Sequence, residues 1–284
     1  MEQIAENVYL ETKYDGVSVA ALRTHEGLIC IDVPSYPRQA RDWVTQLHSL
    51  YSRPVRYVII TDLHGDRLLN VRWLNAPIIT HRETAALLQQ YDKRFPQPLI
   101  ESLVTRNPDR SRDFRNSPVP QPTLHFTHDM HMKKGNLDLH LLAKPGPTPG
   151  SIWVHLPRSG MLFVGDTVPI HTPPLLQQAN SNLWLQQLDE LRSWLADTIL
   201  VSGRGGLITA EHIDNSVEFI RALQEQAADH IAAGRPREQV GLAARTFLSR
   251  FSYKNLPAEW VRIQIKQSLE HLYDELQLPK GEQL

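Results

Sequence analysis

Seven residues, Thr61-Asp62-Leu63-His64-Gly65-Asp66-Arg67, follow directly on the apolar run Tyr57, Val58, Ile59 and Ile60. Polar side chains alternate through this stretch, so they can converge on one point above the end of a buried strand. Asp62, His64 and Asp66 offer oxygen and nitrogen donors suited to hard or borderline metal ions. Arg67 does not, because a guanidinium stays protonated and has no free lone pair. The layout is that of a metal-binding loop, and one of its residues brings a positive charge instead.

Further stretches extend the pattern. Asn7-Val8-Tyr9-Leu10 and Gly27-Leu28-Ile29-Cys30-Ile31-Asp32 precede the loop. Pro145-Gly146-Pro147-Thr148-Pro149-Gly150-Ser151, Phe163-Val164-Gly165-Asp166-Thr167 and Val201-Ser202-Gly203-Arg204-Gly205-Gly206 come after it. In this order, over roughly residues 1 to 210, they resemble the metallo-β-lactamase superfamily. The resemblance implies an α/β fold, a four-layer αββα sandwich. It sets Asp62, His64, Asp66 and Arg67 on the family's His-x-His-x-Asp-His motif and Pro147 on its third metal-binding histidine. Asp166 falls on the metal-bridging carboxylate and Arg204 on the last histidine. Of the family's ligand positions, only His64, Asp66 and Asp166 are unchanged, with Asp62 a substitute ligand. Family members use two adjacent metals, usually zinc, iron or manganese, to generate a hydroxide nucleophile.

By that geometry Arg67, Arg204, Asp66 and Asp166 belong to the second metal site. Carboxylates crowded together in a poorly solvated pocket are costly without a counter-charge. Two guanidiniums could supply it through bidentate hydrogen bonds, so Arg67 and Arg204 are expected to point at Asp66 and Asp166. Asp62, His64 and Asp166 could still form an open three-ligand site for one divalent ion of zinc, manganese or iron, with Asp66 as a base. The competing reading makes them a metal-free network, and no cofactor is the expectation adopted. His171, just past Gly165-Asp166, is a spare imidazole near the pocket mouth, which Arg67, Pro147, His171 and Arg204 would line. His81 reads as a helix-start residue.

The elements that must position these residues alternate as the sandwich requires. Residues 17–22, 28–33 and 55–60 read as strands, and 38–50 as a helix through Ala40, Trp43, Leu47 and Leu50. A strand at 78–80 precedes a helix over 83–90. Strands at 137–143, 152–156 and 161–164 lead to a helix over 183–195 and a last strand at 198–201. This makes residues 1–208 a sandwich domain, with 91–121 a lid or inserted loop. Arg106, Arg110, Arg112 and Arg115 there could attract an anionic ligand, though a solvated loop or subunit contact is the plainer reading. Residues 209–284 read as a helical extension: Thr209 caps a helix with Glu211 behind it, and Gly234-Arg235-Pro236 ends that helix. A second helix spans 237–251, and a third opens at Pro257 with Val261, Ile265, Leu269, Leu272 and Leu276. The tail resembles that of glyoxalase-II-like hydrolases, its apolar stripes serving as core or as a homodimer contact.

The 284 residues carry 30 basic and 31 acidic side chains, a net charge of −1, which argues against nucleic-acid or membrane-surface attraction. Cys30 alone rules out an internal disulfide framework and reads as a small buried hydrophobe. Without a signal-peptide pattern or a membrane-length apolar run, the expected location is cytoplasmic. His125, His128, His131 and His140 lack a fixed ligand spacing and read as surface or edge-strand histidines. Three functions remain open. They are a pseudoenzyme that binds a small molecule, an anion among the candidates, or regulates, a one-metal hydrolase of an ester or thioester bond, and a structural subunit assembling through its tail.

Overall fold

Strand runs that are apolar on both sides call for cover on both faces, and the chain supplies it with two stacked sheets clad in helices. The computed structural model describes residues 1–94, 96–114 and 117–278, so Arg115 lies outside the described residues. The first sheet runs in spatial order through β1 (Glu2–Ala5), β2 (Val8–Glu11), β3 (Val19–Thr24), β4 (Gly27–Ile31), β5 (Val55–Ile59), β6 (Ile78–His81) and β7 (Leu124–Phe126). The second runs through β8 (Met130–Lys134), β9 (Leu137–Ala143), β10 (Ile152–Leu156), β11 (Met161–Phe163), β12 (Ile199–Ser202) and β13 (Gly206–Leu207). Helices α1 (Pro37–Leu50), α2 (Gly65–Leu68), α3 (Arg82–Leu88) and α4 (Gln97–Arg106) go with the first sheet. Helices α5 (Ser181–Trp194), α6 (Ala210–Ala232), α7 (Arg237–Val240) and α8 (Ala258–Gln277) go with the second.

Three apolar cores make four layers. Along β4, Leu28 and Cys30 join Trp43 and Leu47 of α1, while Ile29 and Ile31 turn to the other side. That side is the core between the sheets, where Ile29 and Ile59 meet Leu139, Ile152 and Val154. The third core lies beyond the second sheet, where Trp153 and Leu162 meet Leu188 of α5, Ile220 and Leu223 of α6, and Ile265 and Leu269 of α8. Each such side chain, fully buried, is worth about 1.5–3 kcal/mol. The stripes of the C-terminal helices are thus buried against the chain's own sandwich. Cys30 is fully buried, and burial pushes its thiol pKa up.

Several local expectations needed revision. β13 follows β12, so 199–202 is not the last strand. Residues 237–251 form α7 and a 3-10 turn, Gly241–Phe247, rather than one helix. Gly241 lies where a Cβ would come 2.5 Å from Cγ of Lys266 on α8, and glycine is a poor helix former. His212, not Glu211, reaches back to the Thr209 N–H at 3.1 Å to start α6. The segment over 91–121 carries α4 and a 3-10 turn, Pro108–Phe114, and buries Leu99, Ile100, Leu103 and Phe114. Its prolines and arginines dominate the composition and mask that apolar spacing. Among the described residues no helix is long and apolar enough to cross a membrane.

Candidate functional site

Parallel strands end on the same side, and four strand ends deliver the charged residues to one place. β4 and β5 run parallel, as do β11 and β12. Asp32 follows β4, where its N–H donates to the Ile59 carbonyl at 2.9 Å. The loop after β5 carries Asp62 and His64 into α2, which presents Asp66 and Arg67. Asp166 sits in the turn after β11. Two indole N–H groups hold that turn, Trp153 on the Thr167 hydroxyl and Trp184 on the Thr167 carbonyl, each at 2.8 Å. Arg204 rides the loop from β12 to β13, tied down by Gly203 N–H on the Gly165 carbonyl. Gly203 has no alternative there, since a Cβ would lie 2.6 Å from an Arg67 terminal nitrogen.

The charges interlock as expected of Arg67 and Arg204. The Arg204 Nε and Nη2 donate to the two oxygens of Asp166 at 2.9 and 2.8 Å. Its Nη1 and Nη2 also reach both oxygens of Asp66, the latter at 3.1 Å, and Nη1 donates to the Gly16 carbonyl at 2.6 Å. One guanidinium therefore bridges two carboxylates. Arg67 is fully buried, its Nη2 bonded to Asp166 and its Nη1 to Asp32 at 2.9 Å and the Thr61 hydroxyl at 3.0 Å. Its Nε lies 3.0 Å from Asp62. His64 Nδ1 sits between Asp62 at 3.1 Å and Asp166 at 3.0 Å.

Two members escaped the sequence reading. Asp32, 1 % exposed, anchors Arg67; a lone acid ending an apolar strand was the available signal. Arg106, at the end of α4, lies 3.4 Å from Asp66, donates to the Asp15 carbonyl and spans the space beside Gly16. Nothing in its neighbourhood distinguished it from Arg110 and Arg112.

Burial penalises every charge here, and the partners decide the outcome. Against burial, Arg204 and Arg67 hold Asp166 well below the usual carboxylate range. Against burial, Arg204, Arg67 and Arg106 lower the pKa of Asp66. For Asp32 burial prevails over Arg67, and its pKa rises to about 6. For His64 burial is outweighed by Asp62 and Asp166, and the pKa rises to about 10. Four acidic side chains, Asp32, Asp62, Asp66 and Asp166, thus stand against four basic ones, Arg67, Arg106, Arg204 and His64.

This arrangement bears directly on a metal. Donor atoms of Asp62, His64 and Asp166 lie within 4.8 Å of one another, and Asp62 Oδ2 accepts no hydrogen bond. Both oxygens of Asp166, however, already accept from arginine. Two metals do not fit, because guanidinium groups occupy the space between Asp66 and Asp166. One dication in place of the His64 proton would add a net positive charge to a set that already balances.

Arg204 also parts two cavities. The larger, about 370 Å³, is lined by Lys13, Tyr14, Arg106, His171, Arg204 and Lys254 among others. The smaller, about 160 Å³, is lined by His64, Asp66 and the amides of Gln177, Gln178, Gln264 and Gln267 among others. His171 is exposed and lines the larger of the two cavities. Pro147 is buried in the turn between β9 and β10 and lines neither cavity.

The chain belongs to the metallo-beta-lactamase superfamily, whose family model matches residues 34–204. Members of this superfamily are typically metal-dependent. Among solved structures, a metallo-beta-lactamase family protein from Thermus thermophilus is 18 % identical with a TM-score of 0.67, the match covering 96 % of this chain and 95 % of that one. A metallo-beta-lactamase from Pontibacter korlensis is also 18 % identical, at a TM-score of 0.62 over 78 % of this chain and 97 % of that one. The stereoselective inverting sec-alkylsulfatase Pisa1 from Pseudomonas sp. is 13 % identical at a TM-score of 0.64, covering 97 % of this chain and 50 % of its own. At such identities the likeness is one of fold. No curated protein matches the chain in sequence.

Proposed function

We propose that this chain is a non-catalytic member of its superfamily, in which Arg67 and Arg204 stand in for the second metal and the pocket binds a small anionic molecule. The Arg204 fork across Asp66 and Asp166 carries this reading. It hydrogen-bonds both carboxylates at once, and together with Arg67 on Asp166 it brings two positive charges, as many as one dication would. The ligand class is inferred from the larger cavity, where Lys254 lines the wall beside Lys13, paired with Asp42, and beside Arg106 and Arg204, paired with Asp66, with Asp15 the acid in the lining. Binding there would be a regulatory or carrier function inside the cell.

A second reading, a one-metal hydrolase, draws on the proximity of Asp62, His64 and Asp166. Asp66 would be its base, yet three arginines hold that carboxyl in its weakly basic, ionised form. Metal content separates the two. The protein is expected to hold no zinc, manganese or iron that depends on His64, measured by elemental analysis of wild type and His64→Ala after incubation with each ion. Near one His64-dependent ion per chain would overturn the proposal. Inorganic phosphate and small dicarboxylates are expected to raise the melting temperature, less so in high salt and in Lys254→Gln.

A further inference from the structure

Strands β8, β9 and β10 set three histidines side by side on the outer face of the second sheet. His131 pairs in register with His140, and His140 with His155. The neighbours Leu139 and Leu141 on β9 turn the other way, into the core between the sheets, so this row has no part in the cluster described above. The His131 and His140 rings lie 3.9 Å apart at their centres, and His140 and His155 lie 5.6 Å apart. Trp194, the last residue of α5, stands edge-on to His155 at 4.8 Å and closes the inner end. His131, on the edge strand, is exposed. The spacing along the chain hid this row. His125 and His128 belong with or near β7 in the other sheet, and His155 is far off in sequence.

Asp138 completes the group. It lies two residues before His140 on β9 and shares its face. Its Oδ1 is shielded from water, accepts no hydrogen bond, and sits 3.8 Å from His140 Nε2. Lys133 stands opposite in register but forms no ion pair with it. A buried carboxylate oxygen without a donor is costly, and 3.8 Å is too long for a hydrogen bond. It is close to the separation of about 3.3 Å that two ligands show on one tetrahedral zinc with bonds of about 2.0 Å.

We propose that Asp138, His131 and His140, with His155 behind them, form a surface site for one divalent transition-metal ion. Imidazole nitrogens with one carboxylate suit zinc, nickel or copper better than calcium or magnesium. Adjacent strands hold cross-strand Cβ atoms about 4.5–5.5 Å apart, near enough for both rings to reach one ion. As the side chains stand, the three donors do not converge within 4.8 Å, so the exposed His131 must turn out of its stack on His140 to aim a nitrogen at the ion. The ion would pin edge strand β8 to its neighbour, leaving a long-range signature in stability. This site is independent of the metal-free reading of the arginine cluster, and the two can fail separately.

The test is titration of the metal-stripped full chain with zinc ion alone, followed by calorimetry, with cobalt substitution read from the visible spectrum. Wild type and His64→Ala are expected to bind one ion equally well, with a tetrahedral cobalt band. His140→Ala and Asp138→Asn are expected to weaken binding by about tenfold or more, since removing even an outer partner of a ligand costs that much. His140→Gln serves if the alanine variant melts early without metal. Zinc binding unchanged in the His140 and Asp138 variants overturns the site, as does no binding by wild type. Binding lost in His64→Ala instead overturns it too, and also counts against the metal-free reading.

Discussion

At the residue scale, the centre of this protein is the fork of Arg204 across Asp66 and Asp166, and that fork is costly to remove. Arg204→Met leaves Asp66 and Asp166 facing each other inside the fold, and removing one partner of a buried ion pair costs roughly 3–5 kcal/mol. Urea denaturation should register that loss. Arg204→Lys should recover only part of it, because a single ammonium cannot fork across two carboxylates. The imidazole gives a separate signature in pH. Its folded pKa of about 10 lies above the ordinary 6.5, so its contribution is complete below pH 6.5 and is lost as pH rises toward 10. Asp66 and Asp166, with depressed values, work in the other sense and lose their contribution on acidification. Melting curves of wild type should therefore fall between pH 7 and 10 by more than those of His64→Gln, a difference on the order of a few kcal/mol.

At the element scale, the cluster depends on how closely α2 and α4 approach. A Cβ on Gly65 would lie 2.3 Å from the Leu99 carbonyl oxygen, so α4 could not keep its place. Gly65→Ala is expected to cost about 1–3 kcal/mol, and to loosen Arg106 from Asp66 along with it, as crowding in a packed interior does. Equilibrium denaturation measures the first effect. The α4 segment also marks where sequence reading stopped short. Leu99, Ile100 and Leu103 have helical spacing, but the arginines and prolines around them read as a solvated loop. By contrast β5, α1 and α8 were legible because their apolar periods run unbroken for their whole length.

At the scale of the whole molecule, the C-terminal helices are built into the sandwich. Val217, Ile220, Leu223, Val261, Ile265 and Leu269 share one core with Trp153 and Leu162 of the second sheet. A chain ending at residue 208 would expose that side of the sheet. It is expected to lose its cooperative unfolding transition, measured by circular dichroism on heating. A fragment that melted sharply would show that residues 1–208 fold as an independent domain. By itself the sequence determined the superfamily and the α/β fold class, because motif and period are local properties of the chain. It also determined that Arg67 and Arg204 could not ligate a metal, because that follows from the guanidinium alone. Only the tertiary structure decided that Asp32 and Arg106 join these arginines, and that three distant histidines share one row. Those outcomes depend on which strand ends and faces meet, and separations in sequence do not encode such meetings.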